Sequence, residues 1–132
     1  MKKTGILHGE LSKTIAELAH DDMILIGDAG MPVPEGVKMI DLALKEGVPH
    51  FLDVLEAVMR EMLVAEGIID QEMAEVSPHM REELECVVQG GFPLRTMPHE
   101  EVKKLSAKVK AVIRTGEFTS YSNIILKAGV LF

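Results

Sequence analysis

The residues of this sequence best able to do chemistry stand where apolar segments end: His20, Asp28, His99, Lys103, Arg114, Tyr121 and Asn123. His20 follows an amphipathic segment and precedes Asp21 and Asp22. An imidazole, with an ordinary pKa of about 6.5, moves protons near neutrality, so His20 is a candidate general acid or base. The alternative is a helix-end role, in which its cationic form meets the negative end of a helix dipole. Asp28 closes the apolar run Met23–Gly27 and reads either as a solvated turn residue or as a ligand-binding carboxylate. His99 and Lys103 share one helical face by their i, i+4 spacing, which suits a surface pair as well as a site. Tyr121-Ser122-Asn123 is either turn chemistry, together with Thr119 and Ser120, or a phenol and an amide placed to recognise hydroxyl groups.

Familiar catalytic signatures are missing. The chain has no Gly-rich phosphate loop, nucleophile elbow, metalloprotease motif or paired cysteines. His8, His50 and His79 show no metal-ligand spacing and read as segment-boundary or surface residues. No metal and no cofactor is expected.

Positioning these groups requires elements, and the periodicity of the chain alternates. Leu11, Ile15, Leu18 and Ala19 share a helical face. Met23–Gly27 is a short continuous apolar run, the form of a strand buried on both sides, and Asp28–Pro34 is a loop by its glycine and two prolines. Lys38–Leu42 is a second short strand. A helix opens at Val48-Pro49, with Pro49 in its first turn, and carries Phe51, Leu52, Val54, Leu55, Val58, Met59 and Met62 at helical spacing. Val64–Ile69 is a strand interrupted by Gly67. Ser77-Pro78 starts a helix that runs to about Val88 and ends at Gly90-Gly91. Phe92–Met97 is extended, Pro98-His99 opens a helix to about Lys108, and Ala111–Arg114 and Asn123–Ala128 are strands separated by a turn at Thr115-Gly116-Glu117. Short apolar strands alternating with helices predict an α/β fold: one three-layer domain, residues 1–132, with a mostly parallel sheet covered by helices on both faces. Ligands of such sheets bind beyond the carboxyl ends of strands, which is where Asp28 falls.

Composition narrows the partners. A net charge of −7 and the absence of tryptophan argue against nucleic acid, because phosphate binding needs a basic patch and single strands need stacking platforms. Lys103, Lys104, Lys108 and Lys110 are interleaved with Glu100 and Glu101, as on a solvated helix face. Cys86 stands alone, the first residues carry no apolar run after their lysines, and no apolar stretch reaches membrane-spanning length. A cytoplasmic protein with a small polar ligand is expected, without nucleic acid or membrane partners.

Several blocks together resemble the D-ribose pyranase/fucose mutarotase family: the opening MKKTGIL, Ala19-His20, Asp28-Ala29-Gly30-x-Pro-x-Pro, Ile40-Asp41-x-Ala-Leu, Gly47-Val48-Pro49-x-Phe51, Ala111–Glu117 and Tyr121–Val130. The resemblance runs end to end, is weakest between about residues 76 and 96, where the chain looks short, and is stronger toward the ribose branch than toward the fucose branch. It implies an isomerase interconverting β-D-ribopyranose and β-D-ribofuranose without cofactor or metal. L-fucose mutarotation and a non-catalytic ribose-binding module are the alternatives. It further implies His20 as the proton-transferring residue, Asp28, His99, Tyr121, Asn123 and Lys103 as sugar-binding, and a ring-shaped homo-oligomer, with a decamer as the candidate size, whose sites lie at subunit contacts.

Overall fold

Successive side chains of a strand point to opposite faces, so a continuous apolar run needs a cover on each side. The computed structural model, which describes residues 1–132, provides both. In chain order the elements are α1 (Gly9–Glu17), β1 (Met23–Gly27), β2 (Lys38–Asp41), α2 (Phe51–Met59), β3 (Val64–Asp70), α3 (Glu72–Val76), α4 (Pro78–Val88) and β4 (Leu94–Met97). α5 (His99–Leu105) then runs into a 3-10 turn at Ser106–Lys108, followed by β5 (Ala111–Arg114) and β6 (Ile124–Ala128). The strands form one sheet in the order β2-β5-β1-β6-β3-β4. All neighbours are parallel except β6, which runs against both β1 and β3.

On one face, Ile24, Ile26, Ile69, Ile113, Ile124 and Leu126 pack with Leu11 of α1, Phe51, Val54, Leu55 and Val58 of α2, and Leu84 and Val88 of α4. On the other, Leu25, Ile68, Val112 and Ile125 pack with Val102 of α5, Val109 and the loop residue Met31. The alternation within each strand sends its odd and even residues to different clusters. The expected three-layer α/β fold with a mostly parallel sheet is therefore the one observed.

Several local expectations change. α1 ends at Glu17 with Leu18 as its C-cap, and His8 caps its start by accepting from the Leu11 N–H through Nδ1 at 3.2 Å. Pro49 lies one residue ahead of the α2 N-cap, His50, whose N–H donates to the Asp53 carboxylate at 3.3 Å. Gly67 does not interrupt β3, whose irregularity lies at Val64/Glu66; a Cβ at Gly67 would meet the Phe92 ring at 2.6 Å. α3 had no counterpart in the sequence reading. The strands on either side of the Thr115–Glu117 turn, β5 and β6, are not neighbours, because β1 lies between them. Turn residues between two apolar runs signal a reversal but not which strand fills the gap.

Leu55 is fully buried in the larger cluster. Leu55→Ala should lower the unfolding free energy by about 3 kcal/mol through lost transfer and a residual cavity. Urea denaturation followed by circular dichroism reads this directly, and a change below about 1 kcal/mol would show that the site collapses freely.

Candidate active site

Because β6 is antiparallel, its first residues arrive at the same end of the sheet where β1 and β3 finish. Ile124 lies opposite both Ile26 and Ile69 in register. Asn123, the residue before it, therefore falls between Asp28, which follows β1, and Asp70, which ends β3. Its amide is used at both ends: Oδ1 accepts from the Asp28 N–H at 3.1 Å, and Nδ2 donates to Asp70 Oδ2 at 2.8 Å. Gly27 leaves room for this approach, since a Cβ there would sit 3.0 Å from Asn123 Oδ1 and 2.9 Å from Met31 Cβ.

Asp70 has no solvent exposure, and burial pushes its carboxyl above the usual aspartate range against the pull of hydrogen bonds from Asn123 and His99. Next to it, β4 pairs in parallel with β3, so the Pro98-His99 start of α5 is delivered beside Asp70. His99 Nδ1 lies 3.1 Å from Asp70 Oδ1, somewhat off the line of an ideal ring N–H bond. The His99 backbone N–H donates to the Glu72 carboxylate at 2.8 and 3.2 Å, which secures the first turn of α5. Tyr121 and the His99 ring form a T-shaped pair, with centroids 5.1 Å apart and planes at 83°. Tyr121 does so from a left-handed backbone conformation, φ 63°, which a bulky residue adopts only at a cost.

His99 and Tyr121 border an open cavity of about 560 Å³ lined also by Asp28 to Pro32, Glu117, Phe118 and Ser120. That volume is in the range of small-molecule sites. Asp28 makes an Asx turn, Oδ1 accepting from the Gly30 N–H at 2.9 Å, and burial raises its pKa despite that bond and the nearby His99. Glu117 is 6% exposed and accepts from the Thr119 hydroxyl at 2.8 Å, the Phe51 N–H at 3.2 Å and the Thr119 N–H at 3.3 Å, with His50 Nδ1 at 3.3 Å. Burial acts to raise its pKa, but those donors outweigh it and the net direction is down.

The residues singled out from sequence divide into groups. Asp28, His99 and Tyr121 line the cavity together. Asn123 is fully buried behind that lining. Lys103 lies one turn along α5, its Nζ 2.9 Å from Glu100, and is not part of the wall. Arg114 is held by Asp41 at 3.0 Å on the side of β2. His20 is elsewhere in the protomer. It precedes β1, whose length at about 3.3 Å per residue separates it from Asp28 by roughly 16 Å or more. The adjoining Asp21 N–H donates to the carbonyl of Ala128, at the far end of β6, which places His20 at the opposite end of the sheet. Its side chain is 62% exposed, with Nε2 3.6 Å from Asp21 Oδ1, and it does not cap α1. No helix is long and apolar enough to cross a membrane.

The geometry suits a small polyhydroxylated ligand: two carboxylates, an imidazole, a phenol and a hydroxyl line the cavity beside the apolar Ala29, Met31, Pro32 and Phe118. Comparison with known proteins agrees. Residues 1–131 match the model of the RbsD / FucU transport protein family. The chain belongs to this family. It is 47% identical to a D-ribose pyranase of Symbiobacterium thermophilum and 50% identical to one of Variovorax paradoxus, each over 132 residues covering both chains completely. The stretch from 76 to 96 is thus not shortened relative to these two. Among solved structures, Bacillus subtilis RbsD complexed with D-ribose superposes with a TM-score of 0.94 at 47% identity, with complete coverage of both chains. The fucose mutarotase of Streptococcus pneumoniae, in complex with L-fucose, shares the fold with a TM-score of 0.71 at 24% identity, covering 96% of this chain and 95% of its own.

Sequence reasoning missed Asp70 and Glu117. The rule that selected Asp28 applies equally to Asp70, which closes the apolar Gly67-Ile68-Ile69 run. Glu117 carried no such signal, because its neighbours Phe51 and His50 come from a distant segment.

With its folded pKa depressed, Glu117 contributes stability that is present above the ordinary glutamate value of 4.5 and is lost as pH falls through the folded value. Glu117→Gln should therefore cost about 1–3 kcal/mol at neutral pH and progressively less in acid. Urea unfolding across that pH range tests it; a wild-type advantage that grows in acid would contradict the assignment.

Proposed function

We infer that this protein is a D-ribose pyranase, an isomerase that interconverts β-D-ribopyranose and β-D-ribofuranose. The observation that carries the reading is full-length identity of 47% and a TM-score of 0.94 to RbsD complexed with D-ribose. Asp28, His99 and Tyr121 lining one open cavity support it.

Changing ring size needs three steps. The hemiacetal opens to the aldehyde as the anomeric hydroxyl loses a proton and the ring oxygen gains one. Rotation about C1–C2 follows, and the C4 hydroxyl then attacks the carbonyl as the proton transfers reverse. Acid/base assistance of this kind contributes typically 10²–10⁴-fold. Asp28, His99 and Tyr121 hold hydroxyls so that productive rotamers close. Asn123 acts from behind, keeping the Asp28 backbone and the Asp70 carboxylate in place. Lys103, on the His99 face of α5, is a further donor at the edge of the site.

His20 is assigned the proton transfer, and its place at the far end of the sheet requires a second protomer. A neighbouring copy brings its own His20 to the cavity of this one, in a homo-oligomeric ring in which each contact completes a site. The exposed Phe118 at the cavity rim supports such a contact, since an isolated subunit would leave it 64% exposed. The whole chain, residues 1–132, works as one domain, in the cytoplasm, on free D-ribose.

Saturation transfer between the anomeric proton signals of ribopyranose and ribofuranose reads the activity directly. Wild-type protein should speed the exchange, with L-fucose as the control sugar; exchange no faster than buffer would remove the pyranase reading. His20→Ala and Tyr121→Ala should each be nearly inactive alone. Mixed after dissociation and reassembly, they should regain about a quarter of wild-type activity, because random pairing leaves that fraction of sites with both residues intact. No recovery on mixing would place His20 and Tyr121 in the same protomer's site.

A further inference from the structure

We propose that Asp70 is a positioning residue that holds His99 as its Nδ1–H tautomer, so that His99 Nε2 meets the sugar as a proton acceptor. This rests on the pyranase reading and deepens it, adding a second proton-transfer group to the same site, supplied by the protomer that carries the cavity.

Asp70 is fully buried, and its two oxygens have separate neighbours. Oδ2 accepts from Asn123 Nδ2 at 2.8 Å. Oδ1 has no other hydrogen-bond partner, and neither has His99 Nδ1, 3.1 Å away; both atoms are buried. A buried carboxylate oxygen without a donor is costly, and two lone pairs facing each other at that distance are worse. A proton on His99 Nδ1 satisfies both atoms at once. The imidazolium form also carries that proton, so gain and loss during turnover occur at Nε2 alone.

The ring cannot easily turn away. Its backbone N–H is held by Glu72, and the Tyr121 ring packs against it in a T-shaped arrangement. Nδ1 is buried whereas Nε2 is not among the buried unpartnered atoms, and the side chain, 21% exposed, lines the cavity. Ring opening needs one proton removed and another delivered at different oxygens. Two imidazoles, His99 and the neighbouring copy's His20, would meet that need without one group having to migrate between the two oxygens.

Asp70→Asn provides the test. The Asn123 Nδ2 still needs an acceptor, so the new amide must turn its oxygen that way and its NH₂ toward His99 Nδ1. That orientation makes Nδ1 an acceptor and moves the ring proton to Nε2, the wrong tautomer, as the corresponding Asp→Asn change does in serine proteases. In histidine-selective ¹⁵N spectra in mildly alkaline buffer, wild-type His99 should show protonated Nδ1 and bare Nε2, and the variant the reverse. Pyranose–furanose exchange at saturating ribose should fall by ~10²-fold or more, while ribose affinity changes by less than about threefold. A wild-type His99 protonated on Nε2, as a neutral Asp70 donating to Nδ1 would produce, overturns the proposal; that measurement needs no variant to fold. A variant with reversed tautomer and undiminished exchange overturns it as well. If wild-type protein speeds no exchange, the pyranase reading fails, and the same ¹⁵N spectra still decide the tautomer.

Discussion

Asn123 bonds at once to the Asp28 backbone and the Asp70 carboxylate, and the geometry of the pocket follows from that bridge. The amide is fully buried, so neither of its ends is free to find water. Only an Asn offers an acceptor and a donor at this separation on so short a stem. Removing it would strand the Asp28 N–H and leave Asp70 Oδ2 in the interior without a donor, a loss that neighbouring packing cannot repair. Asp70 in turn sets the surroundings of His99, and His99 backs the ring of Tyr121. A chain of contacts thus runs from the buried centre of the sheet to the cavity wall, each link depending on the one behind it.

The bridge exists because one strand runs the wrong way. Five strands of the sheet point together, and their carboxyl ends form an edge at which loops gather. β6 enters between β1 and β3 from that same edge, bringing the Tyr121-Ser122-Asn123 segment into a position that a fully parallel sheet would fill with the end of another strand. The left-handed Tyr121 is the local consequence: the chain must turn sharply before entering the sheet, and the strain falls on the residue whose ring borders the cavity. Backbone strain of this sort persists only where surrounding contacts over-determine it, and the Asn123 bridge and the His99 ring supply them.

The same topology separates His20 from the cavity. A residue before β1 and a residue after it lie at opposite ends of one strand, and no rotamer spans that distance. Lys103 and Arg114 are likewise engaged by Glu100 and Asp41 within the protomer. The exposed His20 imidazole lies at one end of the sheet and the open cavity at the other.

The sequence by itself determined the elements other than α3 and which of their residues go inside. Short continuous apolar runs, proline and glycine at their ends, and helical spacing in residues 51–59 are local signals, and the strands and helices they marked are present. It also determined that Asp28 closes a buried strand, which is a matter of order along the chain. Only the tertiary structure decided that β1 separates β5 from β6, that Asn123 faces inward to two aspartates, and that Asp70 belongs beside His99. Those facts depend on pairings between residues tens of positions apart, from Asp28 to Asn123 and from Asp70 to His99. The free energy that selects them is spread over the whole sheet and its two covers, and no local pattern carries it.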